Sequence, residues 1–166
     1  MNHPTHDAAH QTIGKALGRV PSGVFILTAA HRGRAAAMLA SWVQQASFEP
    51  PAVSIALAKG RPIGELIRAS GALTLSVVSN EDKSLMKHYA RGTPDENDPF
   101  AGVRVYDLGG DSAPALAEAL AYLDCRFISA CEFGGDHELL VARVVGGAML
   151  REGTAFAHQR GNGFHY

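Results

Sequence analysis

Short runs in which apolar residues alternate with small or polar ones limit most strongly how this chain can fold. A period of two puts successive side chains on opposite faces of an extended segment, so each run predicts a half-buried β-strand. Three runs have an apolar residue at every second position: residues 53–57, 73–77 and 123–127. One buried and one less buried face is typical of antiparallel sheets, which the chain is therefore predicted to form.

Further strands are predicted on either side of these runs. Residues 24–30 and 36–43 flank a short polar stretch in which Gly33 predicts a hairpin turn. Residues 139–150 form a long apolar run, and the glycine pair at 146–147 predicts a bulge or a sharp bend there. Many short strands, without a glycine-rich dinucleotide or phosphate motif, favour a small closed barrel over a doubly wound parallel sheet.

Three segments are predicted to be helical. Residues 62–69 begin with Pro62, which suits the first turn of a helix. Residues 81–91 follow Asn80, a residue type that caps helices, and residues 112–121 are rich in alanine and leucine. The intervening residues 92–110, rich in Pro, Asp and Gly, predict a long surface excursion.

The N-terminal residues 1–12 are polar and predict a flexible tail before a single domain over residues 13–166. The alternative, that His3, His6 and His10 share a helical face and bind a metal, stays open, although no metal site is predicted. The tail lacks the apolar region of a secretory signal, and no run of 18 apolar residues exists, which favours a cytoplasmic protein.

The totals exclude some partners and limit the cysteine chemistry. The chain has 166 residues, 46% of them apolar, and a net charge of -1, so it can build one core but has no basic footprint for nucleic acid or an anionic membrane. Cys125 and Cys131 share strand parity, which predicts that both face the core as inert thiols. Residues six apart in one strand lie roughly 20 Å apart, too far for a disulfide; a redox or metal pair is the alternative.

The segment 38–51 is the main candidate for a binding site. Ser41, Ser47 and Gln45 offer hydroxyl and amide groups, and Trp42 and Phe48 offer flat surfaces. Together they suit a planar ligand with several hydrogen-bonding groups. The alternative is a strand end with both aromatic residues in the core.

Two cations follow this segment. Lys59 and Arg61 flank a glycine between a predicted strand and the helix that starts at Pro62, an arrangement that favours a phosphate. The alternative is a solvated turn. Three further residues are candidates. Asn80 is predicted to cap a helix or to contact a ligand. His137 is predicted to be a loop histidine able to hydrogen-bond a substrate or dinucleotide, and Tyr166 is predicted either to fray or to cover a site.

The stretch from Gly18 to Pro62 (GRVPSGVFILTAAHRGRAAAMLASWVQQASFEPPAVSIALAKGRP) resembles the first half of the flavin reductase-like domain, the FMN-binding split barrel. It is similar in particular to the flavin reductase domain of cyanobacterial diflavin flavoproteins. The later stretches SGALTLSVVS, YLDC and GDHELLVARVV agree with that family in order. The resemblance covers residues 13–166.

The resemblance implies a mainly β fold, a six-stranded antiparallel split barrel with a few flanking helices, and a homodimer with flavin near its interface. It implies an NAD(P)H-dependent flavin reductase that binds FMN, or FAD, and passes electrons to a monooxygenase or another acceptor. His137 would position the nicotinamide. The cofactor-binding residues would be Met38, Leu39, Ala40, Ser41, Trp42, Gln45, Ser47, Phe48, Ala58, Lys59, Arg61 and Pro62, with Asn80 and Tyr166 as further contacts.

Two other functions stay open. One is an electron-transfer protein that holds FMN but is reduced by a partner protein instead of NAD(P)H. The other is a split barrel that binds haem or another small ligand. The cofactor would carry the redox chemistry in either flavin case, which suits a sequence with no hydrolytic triad.

Overall fold

The computed structural model describes residues 6–90 and 98–164, and the elements below are those of the described residues. The three helices are α1 (His6–Leu17), α2 (Pro62–Ser70) and α3 (Ser84–Tyr89). The strands are β1 (Ser22–Gly23), β2 (Phe25–His31), β3 (Arg34–Ala40), β4 (Val43–Phe48), β5 (Pro51–Ala58), β6 (Ala72–Val77), β7 (Val105–Tyr106), β8 (Ala115–Leu116), β9 (Ala121–Glu132), β10 (His137–Met149) and β11 (Ala157–His158). No helix among them is long and apolar enough to cross a membrane.

Seven strands form one antiparallel sheet in the order β3-β2-β6-β9-β10-β5-β4. Its two edge strands, β3 and β4, are consecutive in the chain and are joined only by Ser41 and Trp42. Three Cα–Cα steps reach at most about 11 Å, whereas the edges of a flat seven-stranded sheet lie roughly 29 Å apart. The sheet must therefore curl until its edges meet, which confirms the mainly β split barrel, with seven strands in place of the predicted six.

The barrel interior holds the residues that the alternation predicts. Val53, Ile55 and Leu57 of β5 pack with the leucines at 73 and 75 of β6 in one buried cluster. Helix α2 adds Ile63, Leu66 and Ile67 to it, so this helix covers one side of the core. The predicted helix over residues 62–69 is confirmed and ends one residue later.

Two bulges interrupt the β9–β10 ladder. The first leaves Ile128 unpaired and so reverses the facing of the residues that follow it in β9. Cys125 is buried, as predicted, but Cys131 is exposed, so the prediction that both face the core is wrong for Cys131. The second bulge leaves out Val145 beside Gly146, which confirms the bend predicted from the glycine pair.

The segment 112–121 is not the predicted helix. It lies across the outside of β2 and β6, and β8 within it pairs with β7. The hydroxyls of Thr28 and Thr74 each donate to one of its backbone carbonyls, at 2.7 Å in both cases. The Ser76 hydroxyl accepts from one of its backbone N–H groups at 3.0 Å. Hydrogen bonds to the barrel thus replace those that a helix would make within itself.

Helix α3 begins later than the predicted start at residue 81, and Asn80 is not its cap. The Ser79 hydroxyl accepts from the backbone N–H of Glu81 at 3.1 Å. The Asp82 carboxylate accepts from the backbone N–H of Ser84 at 2.9 Å. These two turns satisfy the N–H groups ahead of the helix, so helical geometry starts only at Ser84.

Helix α1 and the last described residues pack together. Helix α1 covers residues 6–12, which were predicted to be a flexible tail, while residues 1–5 lie outside the described residues. The C-terminal segment lies along α1, where the N–H of Gly163 donates to the carbonyl of Gly14 at 2.7 Å. His3 and the side chain of His6, two of the three proposed metal ligands, fall outside the described residues, as does part of the predicted excursion over residues 92–110.

Candidate functional site

A groove opens where the chain crosses between the two edges of the sheet. At the crossing Ser41 is buried and Trp42 is half-buried. The backbone N–H of Ala56 donates to the carbonyl of Trp42 at 2.9 Å, which fixes the crossing against β5. A cleft forms at this point because the edge strands β3 and β4 separate where the chain passes from one to the other.

The groove has a volume of about 440 Å³. That size is within the range of about 300–1,000 Å³ that is usual for small-molecule and cofactor sites. Three parts of the chain supply its walls: the end of β3 with the crossing, the end of β5 with the residue before α2, and the end of α3. The lining residues are Met38, Leu39, Ala40, Ser41, Trp42, Ala56, Leu57, Ala58, Arg61, Tyr89 and Ala90.

Trp42 provides the flat surface of the groove, and two other side chains contact its ring. The imidazole of His137 lies with its centroid 4.8 Å from the indole, tilted by 52°. The guanidinium carbon of Arg160 lies 4.8 Å from the indole centroid, within the range of a cation–π contact. The indole is therefore held by contacts from β10 and from the C-terminal segment.

His137 is the first residue of β10 and pairs with Ala58 across the sheet, which places it beside the groove. Its Nδ1 lies 2.9 Å from Oδ1 of Asp136. The hydrogen bond from His137, helped by the charge that the imidazole carries when protonated, lowers the pKa of the Asp136 carboxyl below its ordinary value. An ionised Asp136 carboxylate can accept a hydrogen bond from Nδ1–H of His137 and so hold the ring beside the groove.

The structure separates the two cations that follow β5. Arg61 lines the groove and is exposed at the start of α2. Lys59 does not line it; its Nζ lies 2.9 Å from the Glu132 carboxylate in an exposed ion pair. Of these two cations, Arg61 is thus the one positioned to meet an anionic ligand in the groove.

Of the predicted cofactor-binding residues, seven line the groove and the others lie elsewhere. Gln45 and Phe48 are exposed on β4, the latter 86% exposed, and Ser47 is half-buried on the same strand. Pro62 is exposed as the first residue of α2, and Asn80 is exposed, with its N–H donating to the carbonyl of Thr154 at 2.9 Å. Tyr166 lies outside the described residues.

Four lining residues were not predicted. Ala56 and Leu57 precede Ala58 on β5, and the register of that strand was a signal that would have included them. Tyr89 and Ala90 come from the end of α3, about 50 residues from the crossing, and carry no local signal. The Tyr89 hydroxyl donates to the carbonyl of Pro99 at 2.8 Å, and burial raises its pKa to about 12, so it stays a neutral donor.

The donor set suits a planar ligand with an anionic end. Apolar side chains and the indole of Trp42 line the inner part of the groove. Backbone groups of the crossing border it, and the guanidinium of Arg61 lies at the start of α2. A flavin mononucleotide has these properties, so the residues present fit that group. Among the described residues, no three His, Cys, Asp or Glu side chains are arranged to hold a metal ion.

Comparison with known proteins agrees with the fold. The model of the "Flavin reductase like domain" family matches residues 17–163. The chain is 38% identical over 154 residues to diflavin flavoprotein A 1 of Synechocystis sp., a match that covers 92% of this chain and 26% of that protein. The chain thus spans about a quarter of the length of such relatives.

Two solved structures share the fold. The nitrilotriacetate monooxygenase component B homologue of Mycobacterium thermoresistibile is 24% identical, with a TM-score of 0.79 over 95% of this chain and 86% of that one. The NADH:FAD oxidoreductase of Streptomyces globisporus C-1027 is 23% identical, with a TM-score of 0.79 over 96% of this chain and 93% of that one.

The fold and the groove define a split-barrel flavin reductase domain. The chain belongs to the flavin reductase-like domain family, as its sequence predicted, and is similar over most of its length to a part of the diflavin flavoproteins.

Proposed function

We propose that this chain is an NAD(P)H:flavin oxidoreductase that binds FMN in the groove and passes the electrons of the reduced flavin to an acceptor. The observation that carries the proposal is the groove at the barrel split, with Trp42 as a flat wall and Arg61 at the start of α2. A relative in fold, the Streptomyces oxidoreductase, has been solved in complex with NAD and FAD fragments. FAD is therefore tested beside FMN.

Four side chains and the backbone of the crossing have a defined task in this proposal. Trp42 and Met38 contact the ring and exclude water from it, and the backbone N–H groups of the crossing stabilise negative charge on the ring edge. Arg61 binds the phosphate, and His137 orients the nicotinamide. The bound flavin would supply the hydride-accepting ring, so the protein needs only to bind, orient and shield the two nucleotides.

The decisive experiment measures the binding of FMN and of FAD, and the oxidation of NADH and NADPH with each flavin, by the purified chain. We expect the chain to bind FMN and to oxidise a pyridine nucleotide only when flavin is present. Tight FMN retention without that oxidation, together with reduction by a partner protein, would favour the electron-transfer alternative. A colourless protein that does not bind flavin would contradict the proposal, and Soret absorbance would indicate a haem protein.

The chain is further proposed to form a homodimer. Five large apolar side chains on or beside strands β4, β9 and β10, of which β9 and β10 are neighbours and β4 is separated from them by β5, are at least half exposed: Phe48, Ile128, Phe133, Val145 and Met149. Exposed apolar side chains in such number are typical of an interaction surface. We expect sedimentation equilibrium to give twice the monomer mass for wild type and a lower average mass for Phe48→Glu. A wild type that is monomeric at all concentrations would contradict the dimer.

The acceptor of the electrons is proposed to be a protein such as a monooxygenase component, or a small electron carrier. The name of the Mycobacterium structure supports the former, because that protein is called a monooxygenase component. A cytoplasmic location stays a prediction. Transfer to a candidate acceptor is measured as product formed per NAD(P)H oxidised, and a ratio near zero would exclude that acceptor.

A further inference from the structure

The C-terminal segment, residues 157–164, is held on α1 and reaches the groove. We call it the C-terminal strap. At one end β11 pairs with β1. Further along, the N–H of Arg160 donates to the carbonyl of Gly18 at 3.0 Å, and the Phe164 ring stacks on His10 with centroids 4.2 Å apart. The strap is therefore fixed on both sides of Arg160.

Glycines allow the strap to lie this close to α1. A Cβ atom at Gly18 would lie 2.5 Å from the carbonyl oxygen of Arg160, and one at Gly163 would lie 2.2 Å from Cβ of Leu17. Atoms do not approach this closely, so a side chain at either position must push the strap away. Gly161, in the same strap, has no atom within 4 Å of its added Cβ.

The strap brings Arg160 onto Trp42, which is a wall of the groove. The guanidinium carbon lies 4.8 Å from the indole centroid, whereas Arg160 itself does not line the groove. Arg160 is charged at every physiological pH and its planar group stacks well on aromatic faces. Its contact therefore orients the indole from outside the groove, without touching what the groove holds.

We propose that Arg160 is a positioning residue, which the strap holds against Trp42 so that the indole is preorganised as the ring-contacting wall of the groove. The inference that this wall contacts a flavin ring rests on the proposed function. The orientation of the indole by Arg160 does not rest on it, because the contact exists within the protein alone.

The size of the effect follows from the type of contact. A partly exposed cation–π contact is worth enough to change an affinity roughly two- to fivefold. If Arg160 acts through the indole, its loss weakens FMN and riboflavin by the same factor, because both carry the same ring. If Arg160 met the phosphate directly, only FMN would bind more weakly.

Trp42 is the single tryptophan of the chain, so its fluorescence reports the contact directly. In Arg160→Gln without flavin we expect a shifted emission maximum and stronger quenching by acrylamide than in wild type. Dissociation constants for FMN and riboflavin, from flavin titrations, should both rise roughly two- to fivefold. Arg160→Lys, which retains the charge, should recover part of both changes.

A matched pair of glycine variants tests the strap without altering Arg160. Gly18→Ala should displace Arg160 and reproduce the fluorescence and affinity changes, whereas Gly161→Ala should behave as wild type. This pair also covers the case in which Arg160→Gln unfolds: the positioning role then requires that folded Gly18→Ala shows the changes, and it is refuted if Gly18→Ala resembles Gly161→Ala.

Three results would overturn the inference: unchanged fluorescence and affinity in Arg160→Gln, a loss for FMN only, or altered fluorescence with unaltered affinity. Failure of the proposed function gives a different pattern. In that case wild type itself binds neither FMN nor riboflavin, while Arg160→Gln still shifts the emission of Trp42.

Discussion

Removal of one of two neighbouring cations tests whether the groove binds a phosphate at Arg61. The sequence places Lys59 and Arg61 in equivalent settings, but the structure does not: Arg61 lines the groove, and Lys59 is paired with Glu132 at 2.9 Å. We therefore expect Arg61→Ala to weaken FMN binding and Lys59→Ala to leave it nearly unchanged. Lys59→Ala is the matched control, since it removes the same charge two residues away.

The magnitude follows from the exposure of Arg61. A hydrogen bond to a charged group contributes about 1.5–3 kcal/mol. Because Arg61 is exposed, screening by water and salt reduces this to about 1 kcal/mol. Arg61→Ala should thus raise the dissociation constant of FMN roughly fivefold, and Lys59→Ala should raise it less than about twofold.

Fluorescence titrations with FMN and with riboflavin, at low and high salt, measure these constants. Riboflavin lacks the phosphate, so its affinity should not change in Arg61→Ala, and the FMN effect should shrink in high salt. Equal losses for both ligands would show that Arg61 acts on the groove as a whole. A larger loss in Lys59→Ala would place the phosphate on the other side of the turn and refute the assignment.

Three further predictions concern stability. Leu140→Ala, at a fully buried position near the start of β10, should lower the free energy of unfolding by about 3 kcal/mol in urea titrations. Arg68→Met removes the ion-pair partner of the buried Glu138 and should cost about 2 kcal/mol, less than for a fully buried pair because Arg68 is partly exposed; adding Glu138→Gln should recover part of it. Hydrogen bonds, first from the Thr154 hydroxyl and then from the Ser79 hydroxyl, hold the pKa of Glu81 at about 2, below its ordinary 4.5. The stability that they contribute is therefore present above pH 4.5 and lost as pH falls towards 2. Thr154→Val should therefore be less stable than wild type above pH 4.5, and the difference in urea midpoint should narrow towards pH 2.

The barrel strands were predictable because their signal is local. In β5 and β6 every second residue is apolar and faces the core, so the period of two alone fixes which side chains are buried. The same rule was wrong at Cys131, where the unpaired Ile128 shifts the facing by one residue. The alternation that precedes a bulge is the same as in a regular strand. Ile128 is also not a glycine, the residue type from which a bulge would be predicted.

The segment 112–121 shows why other elements could not be predicted. Its alanine and leucine content favours a helix. Its backbone instead binds Thr28, Thr74 and Ser76, which are 86, 39 and 40 residues away from their partners. The segment covers those three side chains, and their hydrogen bonds, with the packing of Leu116 and Ala119, hold the segment on the barrel. Such mutual dependence lies in tertiary contacts, which override a weak local propensity.

The groove divides in the same way between local and distant residues. The crossing passes from one sheet edge to the other within two residues. All residues from Met38 to Trp42 therefore lie at the split, and this part of the site is one continuous stretch of sequence. Ala58 joins it because β5 bonds the crossing through Ala56. The end of α3 comes from the middle of the chain and Arg160 from near its C-terminus, so both are far from the crossing in sequence. In this split barrel, the part of the binding site that can be predicted from sequence is the crossing. The residues that close the cleft, and those that hold the indole in place, are brought there by tertiary packing.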